Sequence, residues 1–192
     1  MVGAHRWVDT QSGPARIGCM GVSSEVLRWL GLEQPPDTPG VVDTVANVLG
    51  DLDPPRARYV AAFAYLLGRV ADADHAISAE ERDLILRLVA KEGSLSPQDA
   101  AAVVTLALDE FRRVGGTDNV LVAREFAAVA TFEERLGLLR CLFAVSAADE
   151  SVIVSEDNEI RRISRELKIE HADFIHARAE VREHLAVLRP AP

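Results

Sequence analysis

Disulfides are the first thing this sequence lacks. Its two cysteines, Cys19 and Cys141, are too few for a disulfide framework. The default setting is therefore the cytoplasm, where thiols stay reduced. Cys141 lies in the apolar run LGLLRCLFAV and reads as a core thiol. Positive charge is also short: 21 Lys and Arg against 30 Asp and Glu leave a net charge of −9. That charge repels a phosphate backbone and an anionic membrane surface, so nucleic-acid binding is not expected as the main activity. Long hydrophobic runs are missing. The longest stretch without a charge, Tyr59 to Gly68, is half of the roughly 20 residues a bilayer span needs. No membrane insertion is expected. The first twenty residues carry Arg6, Asp9 and Arg16 with no apolar core, so no secretory leader is expected either. Strand-like alternation, a Gly-rich phosphate loop, a nucleophile elbow, a Cys/His cluster and the H-E-x-x-H pattern are all missing. A non-enzymatic role follows as the expectation.

What is present is helix. Hydrophobic residues make up 48% of the chain and charged residues 27%, ordinary values for a globular protein. At 192 residues the chain is long enough to bury about 70% of its unfolded surface without a metal or a cross-link. Residues 1–22 show no period and read as a disordered tail. Residues 23–52 read as a short helical extension and linker, with a helix from about Val41 to Leu49. The main domain is expected over 53–189. Asp53 and Pro54 form a helix start, and Val60, Phe63, Ala64, Leu67 and Val70 recur on one helical face. Ser78 with Glu81, and Thr131 with Glu134, are capping boxes. Further helices are expected from Ser96 to Gly115, from Val120 to Ala128, from Ser155 (paired with Asn158) to Leu167, and from His171 to Leu188. The predicted fold is an all-α compact bundle of seven to nine helices.

The chain also resembles itself at an offset of 75 residues. Leu67 falls on Leu142, Val70 on Val145, Asp74 on Asp149, Ile77 on Val152, Glu81 on Glu156 and Ile85 on Ile160. Each copy is a helix, Ala-Asp, a short loop with one apolar residue, and a Glu in the first turn of the next helix. Two similar helix-loop-helix halves about an approximate two-fold axis would produce this pattern. The recurring acids have two readings. In one, Glu81 reaches back to the Ser78 N–H and favours the positive end of its helix, while Asp74 satisfies loop N–H groups. In the other, Asp74, Glu81, Asp149 and Glu156 supply oxygen ligands to a divalent cation. The loops lack the alternating ligands and glycine of an EF-hand.

These two segments, from Val70 to Glu81 and from Val145 to Ile163, resemble the duplicated "A-D-G, apolar, E" signature of the TerB-like tellurite-resistance family. The resemblance runs over about Pro54 to Leu188. A similar domain begins some membrane-anchored J-domain co-chaperones. The resemblance implies pseudo-symmetric all-helical halves, a non-enzymatic stress-response role with other stress-response proteins as partners, and an acidic surface for a divalent metal. The metal residues it implies are Asp74, Glu81, Asp149 and Glu156. The alternative it implies is a metal-free protein–protein adaptor. Both copies depart from the pattern, with His75 and Glu150 in place of the glycine. His176, Glu180 and His184 recur every four residues on the last helix and read as a solvated face.

Overall fold

The computed structural model describes residues 40–73, 77–114, 118–148 and 154–188, and the side chains of these up to 181. All belong to one unit, 39–192. The described residues form eight α-helices: α1 Val41–Ala46, α2 Pro54–Ala71, α3 Ala79–Gly93, α4 Pro97–Val114, α5 Asn119–Val129, α6 Phe132–Ser146, α7 Val154–Glu166 and α8 His171–Leu188. A 3-10 turn, Asn47–Leu49, extends α1. No strand occurs among the described residues, so the fold is an all-α helical bundle.

Helix α2 is the axle of the bundle. Asp53 caps its start by accepting from the Arg56 N–H at 3.2 Å, and prolines fill its first turn. The periodicity predicted one inward face, but every residue from Tyr59 to Ala71 is buried. A helix that is apolar all round has to be surrounded, and α2 packs against α1, α3, α4, α5, α6 and α7. Small residues permit this crowding. At Gly68 an added Cβ would stand 2.6 Å from Leu108 Cδ2, so the Leu108 side chain of α4 packs directly against the α2 backbone there. Val41, Val42, Val45 and Leu49 are buried in the same core, so α1 packs into the bundle.

The two halves, α2–α3 and α6–α7, share three devices. The second helix of each carries Glu at its third position, Glu81 and Glu156. Each of these helices ends in a Schellman motif without glycine. Ser94 (φ 52°) follows α3, with the Leu95 N–H donating to Ala90 O at 2.9 Å. Lys168 (φ 57°) follows α7, with the Ile169 N–H donating to Ser164 O at 2.9 Å. In each half an arginine from the first helix caps the end of the second. Arg56 donates to Glu92 O and lies over the Tyr59 ring at 4.6 Å. Arg135 donates to Leu167 O at 2.9 Å and lies over Phe132 at 5.6 Å.

One contact has no counterpart. Arg69, with a side chain 0% exposed, pairs with Glu159 and forks onto both oxygens of Glu166 at 2.6 and 3.2 Å. It also donates to Asn119 O at 3.2 Å. The residue 75 positions on is Ala144. Burial alone would lower the Arg69 pKa, but the hydrogen bonds and charges of Glu166 and Glu159 prevail and raise it. Replacing Arg69 with Met should destabilise the fold by about 2–4 kcal/mol, because two largely buried acids then lose the cation they share, with only Arg162 left beside Glu159 at 3.5 Å. Adding Glu159→Gln and Glu166→Gln should restore part of that loss. Urea unfolding of the single and triple variants measures both effects, and a triple variant no more stable than Arg69→Met would refute the explanation.

Candidate functional site

The repeated acids begin with α3. Ser78 has extended geometry, and its hydroxyl accepts from the Glu81 N–H at 3.1 Å. The Glu81 carboxylate in turn accepts from the Ser78 N–H at 2.7 Å. This is the reciprocal cap expected from the sequence, and it leaves Glu81 only 2% exposed. In the second copy Ile153 stands where the serine would be. Glu156 keeps the third helical position and is 3% exposed, but a different hydroxyl serves it: Ser146, at the end of α6, donates to Glu156 Oε2 at 2.7 Å. Equivalent carboxylates are thus buried at equivalent helix starts, one serving its own cap and one tying α7 to α6. In both, the positive end of the helix favours the charge.

The expected start at Ser155 needs correction. Helix α7 already includes Val154, so Ser155 is its second residue and not its cap. The Ser155 hydroxyl has no hydrogen-bond partner among the described residues, and Asn158 is exposed. Asp74, Asp149, His75 and Glu150 lie outside the described residues, as do Cys19, residues 1–39 and the Gly115-Gly116 terminator. Among the described residues no group of three or more His, Cys, Asp or Glu is placed to hold a metal ion.

Asp72 escaped the sequence reading. It caps the end of α2, is buried, and accepts from Arg112 Nε at 3.2 Å and from an Arg112 terminal nitrogen at 2.9 Å on one oxygen. The Asp-Ala-Asp spacing of residues 72–74 was the available signal, but the offset comparison passes over it because its counterpart is Ala147. On α8, His176 and Glu180 are exposed, and Glu180 accepts from Arg140 Nε at 2.6 Å. The His184 side chain lies outside the described residues. Cys141 is half-buried against the core, and burial pushes its thiol up to about 11, far from thiolate reactivity.

The family model described as "Tellurite resistance protein TerB" matches residues 60–179. The chain belongs to the TerB family. The match begins inside α2 and ends inside α8, so it takes in both acid-bearing helix starts and the Arg69 pairing that joins the halves. No curated protein and no solved structure matches the chain. Among the described residues, no helix of this TerB chain is long and apolar enough to cross a membrane.

The two serines that serve these glutamate helix starts differ in what their loss should cost. Ser78→Ala removes one cap acceptor and should destabilise by about 1 kcal/mol. Ser146→Ala strips a hydroxyl donor from a buried carboxylate and should cost about 1.5–3 kcal/mol. Chemical unfolding of the two variants side by side checks the order. Equal losses would mean that the Ser146 contact adds nothing beyond an ordinary cap.

Proposed function

We infer that this TerB-family chain is a non-enzymatic, cytoplasmic tellurite-resistance or stress-response module. In this reading its repeated acids, Asp74, Glu81, Asp149 and Glu156, bind a divalent cation, and its partners are other stress-response proteins. The observation that carries it is the pair Glu81 and Glu156. Two carboxylates at the third position of equivalent helices are both buried almost completely, although glutamates are rarely fully buried in globular proteins. Oxygen donors of this kind suit a hard cation such as calcium, magnesium or manganese. The non-enzymatic part is supported by Cys141, whose thiol is held protonated by burial, and by arginines engaged with carboxylates along the helices.

A second reading has its own support. Glu81 and Glu156 each already accept a hydrogen bond from the protein, through the Ser78 N–H and the Ser146 hydroxyl. Acids employed in this way hold helices and need no ion. The module would then be a metal-free protein–protein adaptor, like the helical domain of a co-chaperone.

Calorimetric titration with calcium, magnesium, zinc and manganese separates the two. Under the first reading one cation binds and raises the melting temperature, with stabilisation of about 2.7 kcal/mol at a hundredfold excess over its dissociation constant. Asp74→Asn with Asp149→Asn then abolishes that rise while leaving the metal-free protein no less stable, since fewer acids repel one another. Silence for all four cations leaves the adaptor.

A further inference from the structure

The chain is acidic, yet one groove reverses that sign. It lies between α5 and the end of α7 and has a volume of about 610 Å3. Arg124, Arg165 and Lys168 line it, all exposed. Elsewhere the arginines are largely neutralised, as in Arg58 with Asp43 and Glu125, Arg112 with Asp72, Arg113 with Glu110 and Arg140 with Glu180. The three groove cations make no ion pair among the described residues. Glu166 also borders the groove, but Arg69 holds both of its oxygens from the buried side. Capping of α7 does not account for the cations, because Arg135 already serves the Leu167 carbonyl and the Schellman bonds close the rest of that end.

The remaining lining is apolar and small: Val120, Ala127 and Ala128. Together with Arg124 they recur at steps of four, three and one along α5, one face of that helix. Val120 is 40% exposed, and Leu121 and Val129 on the adjoining face are 50% and 52% exposed. An inorganic anion fills a small part of such a volume and gains nothing from an alanine and valine floor. A nucleic acid has to approach a chain of net charge −9. Carboxylates alternating with apolar side chains match both features, since guanidinium forks bind carboxylates in a planar, paired geometry.

We propose that the groove between α5 and the end of α7 docks an acidic segment of a partner protein, with Arg124, Arg165 and Lys168 binding its carboxylates and Val120, Ala127 and Ala128 receiving its apolar side chains. Glu81 and Glu156 are not among the residues that line this groove, and the proposal holds whether or not the repeated acids bind a cation.

The test is fluorescence anisotropy on the full chain with a labelled synthetic peptide of repeating Glu-Glu-Leu. Repeating Glu-Glu-Ser and Lys-Lys-Leu peptides of equal length serve as comparisons. The Glu-Glu-Leu peptide should bind saturably and more weakly as salt rises, Glu-Glu-Ser should bind less well, and Lys-Lys-Leu should not compete. Arg124→Gln with Arg165→Gln and Lys168→Gln should weaken binding about tenfold or more while the helical circular dichroism signal is retained. Arg124→Glu alone, on the exposed face of α5, gives the same direction should the triple variant fold poorly. Absence of binding, or binding that these substitutions leave intact, overturns the proposal. So does displacement of the peptide by inorganic phosphate beyond the effect of sodium chloride at equal ionic strength, which would make the groove a small-anion site. Tighter binding of an oligouridylate than of the peptide overturns it as well.

Discussion

A guanidinium sealed inside the bundle sets the terms for the rest of the fold. Taking Arg69 out of water is costly by several kcal/mol, and only charge close at hand offsets it. That charge comes from Glu159 and Glu166 on α7, which lie 90 and 97 residues along the chain. The stretch of α2 from Tyr59 to Ala71 is buried and otherwise uncharged, so its complete burial depends on the docking of α7. In the native fold the cation of the first half's central helix is buried against two acids that the second half supplies. Asn119 extends the same junction, its backbone carbonyl accepting from Arg69 and its side chain from the Tyr65 hydroxyl at 2.9 Å. The start of α5 is thereby fixed by the same residues that join the halves. The fork of Arg69 onto Glu166 has a geometry that lysine does not reproduce.

Around this asymmetric junction the repeated halves solve the same problems with different residues. An arginine caps each second helix, but Arg56 sits three residues before its aromatic neighbour and Arg135 three residues after. Both second helices end with a left-handed residue that is not glycine, which costs conformational energy that the two closing hydrogen bonds and the burial of Leu95 or Ile169 against the core offset. The buried glutamate is common to both, but one accepts from its own helix start and the other from the preceding helix. What the repeat preserves is position and charge, with the donor free to change.

That division explains which features could be read from the sequence. The helices and both capping boxes were legible because their physics is local: an N-cap and an acid three residues later report on each other within one turn. The all-α class, the helix boundaries of α3 to α6 and the family resemblance rest on such local patterns. Arg69 was not singled out, since nothing within a turn of it marks a buried charge with partners on a distant helix. Asp72 was hidden in the same way by Arg112, 40 residues on. The left-handed ends at Ser94 and Lys168 carry no glycine to announce them. Ser155 misled because a serine before a helical run resembles a cap, whereas the actual start lies one residue earlier. Of the four repeated acids, Glu81 and Glu156 are seen at their predicted helix starts, and Asp74 and Asp149 fall outside the described residues.

The employment of those glutamates constrains any ion that comes to them. Each carboxylate oxygen carries two lone pairs, so the Glu81 oxygen that accepts from the Ser78 N–H can meet a cation along its other lone pair with the hydrogen bond kept. The Glu156 oxygen that accepts from Ser146 stands in the same position. A cation at either helix start would therefore have to fit a carboxylate whose direction the existing hydrogen bond already fixes. In either case the helix starts report on the ion, because the same carboxylates hold α3 and α7 in the bundle.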